Sequence, residues 1–170
     1  MRMQEKQRGH NEEVWSFGFE RRRIWVTLKW GFLAGSAISI IEFPYKSVVT
    51  KEIPEIYEVY FHALSGNVYF SLIIAITIIP FFEELIFRGW LYRFLRNKYS
   101  IFIGYIGSTF LFVLAHGSHA GFFLCTISSL ILVFVYEKTR SLGASIVAHS
   151  LWNGIWYAAI FYSQNISNIL

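Results

Sequence analysis

The feature that most constrains this chain is a series of apolar blocks, each long enough to cross a lipid bilayer. A membrane-spanning helix needs about 20 predominantly apolar residues. With 55% hydrophobic and only 15% charged residues, the composition excludes an ordinary water-soluble domain. The predicted membrane helices cover residues 24–43, 68–92, 100–117, 121–136 and 143–161. The predicted fold class is therefore all-α, a polytopic membrane helix bundle of about five transmembrane helices.

Basic residues are distributed unevenly between the segments that connect these helices. With a cytoplasmic N-terminus, 11 of the 15 Lys and Arg residues fall in cytoplasmic segments and two fall in outer segments. Because cytoplasmic loops carry an excess of Lys and Arg, this distribution predicts a cytoplasmic N-terminus. It also explains the net charge of +4 without a nucleic-acid partner. The predicted organisation is a cytoplasmic tail (1–23), a first helix with an outer loop (24–67), a core (68–163) and a C-terminal tail (164–170).

The second block carries a cluster of ionisable residues. Such residues are unfavourable inside membrane helices, by roughly 2.5 to 3.5 kcal/mol at the helix centre, and are therefore candidates for function. Glu84 and Arg88 are four residues apart on one helix face, so the guanidinium can neutralise the carboxylate. Glu83 points about 100° away and lacks that partner, as expected of a general base. A plain salt bridge at a helix end is the alternative reading of this cluster alone.

Two other blocks carry polar residues one helical turn apart. The third block places Phe112 and His116 on one face, and the last block does the same with His149 and Asn153. A histidine that binds substrate or metal, beside an amide that stabilises an oxyanion, suits peptide hydrolysis. Taken singly, each pair is better explained by packing or by hydrogen bonds between helices.

The combination of three polar stripes favours a site inside the bundle, because helix bundles build sites from facing side chains. The first and fourth blocks carry no comparable stripe, and Ser128 and Ser129 are interpreted as packing residues. His119 is a secondary candidate. In the predicted topology His149 lies near the cytoplasmic end of its helix, whereas His116 lies near the outer end of its own. The site therefore requires tilted helices or shifted boundaries that bring both histidines to one depth.

The polar residues form three motifs in a fixed order along the chain. They are EExxxR at 83–88, FxxxH at 112–116 and HxxxN at 149–153. In this order they resemble the motifs of the CPBP family of intramembrane proteases, which includes the CAAX prenyl proteases of the Rce1 type and the bacterial Abi proteins. Residues 136–142, which lead to His149, also look like the family's approach to its last motif. The resemblance covers roughly residues 68–159, more than half of the chain.

The resemblance implies an endopeptidase whose catalytic residues are Glu83, His116, His149 and Asn153. The implied supporting residues are Glu84, Arg88 and Phe112. In this scheme Glu83 activates water with help from His116. His149 and Asn153 stabilise the oxyanion that forms on the substrate carbonyl. The core over residues 68–163 is then an intramembrane protease core.

The resemblance leaves the catalytic mechanism open between zinc and glutamate chemistry. A glutamate and two histidines can hold a zinc ion with one position open to water, which would use Glu83, His116 and His149. Alternatively, Glu83 acts alone as the base. The chain is shorter than the eukaryotic prenyl proteases, which leaves a prenylated CAAX substrate open. The expected partners are a peptide or membrane-protein substrate and the lipid bilayer, with no nucleic acid, in the plasma membrane of a bacterium.

Two other functions remain open at this point. One is a non-catalytic membrane protein, for peptide binding or bacteriocin immunity, that uses the same polar cavity. The other is a small transporter, since buried carboxylates and histidines also relay protons. Transporters more often show paired halves, and the sequence contains no visible repeat. The distances between the motif residues decide the matter, because general-base chemistry requires them within about one water of each other.

Overall fold

The computed structural model describes residues 23–49, 68–116 and 122–167, and side chains within these ranges up to residue 159 except for 45–49 and 68. The described residues form helices and no β-strand. In chain order the helices are α1 (Ile24–Val49), α2 (residues 68–98), α3 (Ile101–His116), α4 (Phe122–Thr139) and α5 (Leu142–Ser167). The prediction of an all-α helix bundle is confirmed. The cytoplasmic position of the N-terminus stays a prediction.

Three of these helices are long and apolar enough to cross a membrane. The candidate spans are Ile24–Pro44 in α1, Tyr69–Lys98 in α2 and Phe122–Thr139 in α4. Helix α3 is apolar but has only 16 residues, fewer than the roughly 20 that a perpendicular span needs. Helix α5 is long enough but contains His, Asn and Ser residues that lower its mean hydropathy. Large hydrophobic side chains, among them Trp25, Phe102 and Phe123, are exposed on the outside of the bundle, as expected of an integral membrane protein.

The helix ends differ from the predicted boundaries mainly by extension. Helix α1 passes through Pro44 to Val49, and α5 continues beyond residue 161 to Ser167. The first residues of the predicted C-terminal tail are therefore helical. Helix α2 runs without interruption to Lys98. The second block is thus one long helix and not a span followed by a separate interfacial helix, the two alternatives that its proline and charged residues left open.

Helix α2 absorbs its proline by changing its hydrogen-bond pattern. Its segments are Val68–Ile73 (α), Ile74–Ile78 (π), Ile79–Glu84 (α), Leu85–Tyr92 (π) and Arg93–Lys98 (α). Pro80 lies in the first turn of the central α-helical segment, where its missing N–H is tolerated. Just before it, the N–H of Ile79 donates to the carbonyl of Ile74, five residues back. The next carbonyl in the same five-residue register is that of Ala75. Its partner position is Pro80, which has no N–H to donate.

The bundle closes because α1 packs along α5, α3 packs against α4, and α2 packs against α3 and α5. Small residues allow the first contact: a Cβ atom added to Gly35 would lie 2.7 Å from the carbonyl oxygen of Ala148. Close backbone approach of this kind is the usual basis of helix association in membranes. An apolar cluster where α2, α3 and α4 meet contains Phe112, Val113 and Cys125, with Phe87 packed against it. The polar motif residues lie between these two contacts.

Candidate active site

The centre of the site is a fully buried ion pair. Glu84 and Arg88 are both 0% exposed, and Arg88 Nη1 lies 2.9 Å from Glu84 Oε1. The predicted contact between residues four apart is therefore present. The other guanidinium nitrogen, Nη2, donates to the carbonyl and the hydroxyl oxygens of Ser129 at 3.2 and 3.0 Å. The guanidinium carbon also lies 4.4 Å from the ring centroid of Phe112. This pair ties α2 to α3 and α4.

Ser129 is a site residue that the sequence did not reveal. Its carbonyl and hydroxyl oxygens each accept one hydrogen bond from Arg88. The hydroxyl also donates to Thr109 Oγ1 of α3 at 3.3 Å. The interpretation of Ser129 as a packing residue was therefore wrong. Its size is that of a packing residue, and only the position of Arg88 in space distinguishes the two roles.

His149 is held by the carboxylate of the ion pair. Its Nδ1 lies 2.9 Å from Glu84 Oε1, the same oxygen that contacts Arg88. A carboxylate paired with a guanidinium accepts hydrogen bonds, so Nδ1 carries the hydrogen and donates to it. This bond orients the ring, whose other nitrogen, Nε2, faces Glu83 Oε2 at 3.6 Å. Glu84 and Arg88 thus set the direction in which Nε2 of His149 points.

Glu83 is the point where the two histidines meet. Its Oε2 lies 3.6 Å from Nε2 of His149 and 3.6 Å from Nε2 of His116. The side chains of Glu83 and His116 are each 26% exposed, so this part of the site is accessible. A distance of 3.6 Å is too long for a direct hydrogen bond and suits groups that share one water. The required convergence of the two histidines at one depth is therefore present.

The aromatic ring of Phe112 packs against three polar groups of the site. Its centroid is 4.1 Å from that of His116 and 6.0 Å from that of His149, and the guanidinium of Arg88 lies over its face. The backbone carbonyl of Phe112 is 2.8 Å from His116 Nδ1, which therefore donates to it. This bond leaves His116 Nε2 directed at Glu83. The supporting role of Phe112 stays a prediction.

The side-chain amide of Asn153 binds the backbone of α2 next to the change in hydrogen-bond pattern at Pro80. Its Nδ2 donates to the carbonyl of Ala75 at 3.1 Å, the carbonyl that lacks a helical donor because residue 80 is proline. The bond satisfies a backbone group that would otherwise be unpaired inside the membrane. The role of Asn153 as oxyanion donor stays a prediction and would use the second N–H of this amide. His119, the secondary candidate, lies outside the described residues.

A second buried carboxylate was not singled out from the sequence. Glu42 of α1 is 2% exposed and accepts a hydrogen bond from the indole Nε1 of Trp152 at 2.8 Å. It also accepts one from the hydroxyl of Ser128, which is therefore not a simple packing residue. The sequence shows no polar stripe on the first and fourth helices comparable to the three motifs, yet each of these helices contributes a polar side chain to this hydrogen bond. The available signal was an ionisable residue at the end of the first predicted span.

The set Glu83, His116 and His149 is the one predicted to hold zinc. Among the residues that the structure describes, no group of three or more His, Cys, Asp or Glu side chains is arranged to hold a metal ion. Zinc binding by these three residues stays a prediction. What they form is a carboxylate with an imidazole nitrogen on either side, which is an arrangement for proton transfer.

The motif region is similar to known proteins. A family model described as type II CAAX prenyl endopeptidase Rce1-like matches residues 65–155. The UPF0177 protein YaiH of Lactococcus lactis subsp. lactis is 33% identical over 91 residues, which are 53% of this chain and 37% of that protein. The UPF0177 protein YbdI of the same organism is 33% identical over 86 residues, 50% of this chain and 46% of that protein.

These matches extend over only part of the relatives, because the chain covers less than half the length of either one. No solved structure matches the chain. The family match covers residues 65–155, which contain all three motifs and most of the site described above. Because it also covers more than half of the chain, the protein belongs to the type II CAAX prenyl endopeptidase Rce1-like family, as the three motifs predicted.

Proposed function

We propose that this protein is an intramembrane endopeptidase that hydrolyses a peptide bond in a peptide or in a membrane-anchored protein, with CAAX-type proteins as one substrate class. The observation that carries the proposal is the position of Glu83 Oε2, at 3.6 Å from Nε2 of both His116 and His149. Membership of the Rce1-like family supports endopeptidase chemistry in general. The three candidate spans support a location in the membrane, here proposed to be the bacterial plasma membrane.

In the proposed reaction Glu83 is the general base. It takes a proton from a water molecule as the water oxygen bonds to the substrate carbonyl carbon, and the carbonyl oxygen becomes an oxyanion. The C–N bond then breaks, and the proton passes from Glu83 to the leaving nitrogen. His116, whose Nε2 faces the same carboxylate oxygen, assists by hydrogen bonding to the water or to the leaving group.

Oxyanion stabilisation is assigned to His149 and Asn153. His149 would donate to the oxyanion from Nε2 while its Nδ1–H donates to Glu84, which is held in place by Arg88. The amide of Asn153 contributes through the N–H that is not bonded to Ala75.

The test is turnover by the purified protein in detergent or in liposomes. Quenched fluorescent peptides with and without a prenylated CAAX cysteine would identify the substrate class. We expect Glu83→Gln to lower kcat by about 10² to 10⁴, the usual contribution of a general base, while the unfolding temperature stays at the wild-type value. Glu83→Asp, which keeps the carboxylate but shortens its reach, should retain part of the activity. Full activity in Glu83→Gln would refute the assignment of the base.

The same assay separates the glutamate and zinc mechanisms. The glutamate mechanism that we propose predicts activity that is insensitive to a chelator. Loss of activity on chelation with recovery on zinc addition would instead favour a metal held by Glu83 and the two histidines, rearranged from their present positions. A wild-type protein that binds peptides without cleaving them would favour the alternative of a peptide-binding or immunity protein.

A further inference from the structure

Glu42 is a buried ionisable group that the proposed reaction does not use. It lies in the candidate span of α1 and is 2% exposed. Among its hydrogen-bond donors are two uncharged groups, the indole of Trp152 on α5 and the hydroxyl of Ser128 on α4. A carboxylate inside a membrane helix is energetically unfavourable. A hydrophobic residue would attach α1 to the bundle at a lower desolvation cost. The hydrogen bonds that the two carboxylate oxygens accept therefore point to a role beyond helix packing.

The connection from Glu42 to the site runs through an aromatic ring. The indole of Trp152 donates to Glu42 Oε2 at 2.8 Å, and the same indole stacks on the ring of His149 with centroids 5.2 Å apart and planes at 29°. The edge of His149 is fixed independently by Glu84, at 2.9 Å from Nδ1. A hydrogen bond at Nδ1 still leaves the ring a limited freedom to tilt, because hydrogen bonds tolerate a range of angles. The stacked indole removes this freedom by setting the ring plane.

We infer that Glu42 is a positioning residue that anchors the Trp152 indole and thereby sets the ring plane of His149. Nε2 of His149 is then held toward Glu83 Oε2. Both Oε1 and Oε2 of Glu42 are used as acceptors, one for each neighbouring helix. The geometric part of the inference stands alone, and its kinetic consequence rests on the proposed peptidase function.

A merely structural role for Glu42 makes a different prediction. Helix α1 already contacts α5 through close packing at Gly35 and Ala148, and through an apolar cluster around Ile38 and Leu132. Removing the acceptor from Glu42 should therefore leave α1 in place while it releases the indole of Trp152. A role that depends on the charge of Glu42 differs again, because it would be lost in the uncharged glutamine variant.

The first experiment measures the ring of His149 directly. In detergent micelles, the ring protons of His149 should show an upfield shift from the stacked indole, with the signals assigned by their absence in His149→Gln. We expect Glu42→Leu to remove most of this shift and Glu42→Gln to retain it, since the amide oxygen still accepts the indole N–H. Ser39→Ala is the matched control on α1, because the Ser39 hydroxyl bonds only its own helix, to the Gly35 carbonyl. Unchanged His149 signals in Glu42→Leu would overturn the inference.

The second experiment is kinetic and uses the peptide assay. We expect Glu42→Leu to lower kcat about tenfold with KM unchanged, within the range that a small misplacement of a catalytic group produces. Trp152→Phe removes the indole N–H together with the five-membered ring and should lower kcat similarly, and the double variant should be no worse than either single one. Equal loss in Glu42→Gln and Glu42→Leu would overturn positioning in favour of a charge role. If the wild type cleaves no peptide, the proposed function fails while the His149 signals still decide this inference.

Discussion

Two clusters of charged residues in this bundle use the same chemical groups in different ways. The core cluster consists of Glu83, Glu84, Arg88 and His149. The rim cluster, near the turn between α4 and α5, consists of Glu137, Tyr92, Arg96 and Arg140. In the rim cluster the Glu137 carboxylate accepts from the Tyr92 hydroxyl at 2.6 Å, from Arg96 Nε at 3.2 Å and from Arg140 Nη1 at 2.5 Å. Its single carboxylate is surrounded by donors.

The core cluster has two adjacent carboxylates and divides them between two tasks. Glu84 takes the guanidinium of Arg88 and the Nδ1–H of His149 and is fully buried. Glu83, the next residue, is left with histidine nitrogens at 3.6 Å and is partly exposed. We infer from this comparison that Glu84, which is bonded to Arg88 and His149, stabilises the fold, whereas Glu83, which has histidine nitrogens at 3.6 Å, serves as the proton acceptor. Four predictions test this division, from the largest expected effect to the smallest.

The largest effect is expected from breaking the buried pair. Arg88→Ala leaves the Glu84 carboxylate buried without its cation, and such a loss is typically about 3 to 5 kcal/mol. We expect a sharp fall in membrane yield and in the unfolding temperature measured in detergent. Glu84→Ala should behave similarly. Normal yield and normal unfolding of both variants would show that the pair does not hold the bundle together.

Exchanging carboxylate for amide separates the two clusters by function. Glu83→Gln should reduce peptide turnover by at least about a hundredfold with an unchanged unfolding temperature, because it removes a base and no structural bond. Glu137→Gln should do the reverse, lowering the unfolding temperature modestly while leaving the turnover rate intact. The measurements are kcat and thermal unfolding of both variants under one condition. Parallel changes in both quantities would contradict the division of roles.

The amide of Asn153 should show a loss of stability that can be reversed. Asn153→Ala leaves the Ala75 carbonyl without a donor, which typically costs about 1 to 3 kcal/mol for a buried group. Adding Pro80→Ala supplies a backbone N–H in the same turn, so the double variant should regain much of the unfolding temperature. Peptide turnover that stays low in this stabilised double variant would support the oxyanion role of Asn153. Turnover that returns with stability would assign Asn153 to the backbone alone.

The smallest effect is expected at the rim. Arg140→Ala removes one of three donors to Glu137 in a partly exposed pair, where ion pairs contribute about 0 to 1 kcal/mol. Arg140 also has a positive φ of 54°, which Ala adopts no more easily than Arg. Arg140→Gly should therefore recover part of the loss, because glycine tolerates this backbone conformation. High salt should narrow the difference between wild type and Arg140→Ala; a loss as large as that of Arg88→Ala would erase the distinction between the clusters.

Several features of the protein followed from the sequence by local physics. The apolar blocks predicted a membrane helix bundle, because hydrocarbon length and backbone satisfaction leave few alternatives. The contact between Glu84 and Arg88 followed from helical spacing, which makes residues four apart neighbours. The three motifs predicted the family. Five spans were expected, and three helices meet the length and hydropathy of a span, since α3 is short and α5 is polar.

The tertiary structure alone decided which groups meet between helices. Helical spacing relates residues on one helix, but the approach of His116 and His149 to Glu83 depends on the tilt and depth of three helices together. The same holds for Glu42, whose partners lie 86 and 110 residues away in sequence. The sequence therefore determined the membrane environment, the helices and the ion pair between Glu84 and Arg88. Packing decided which groups from other helices reach each of the two adjacent carboxylates: Glu84 receives the Nδ1–H of His149, whereas Glu83 faces two histidine nitrogens at 3.6 Å.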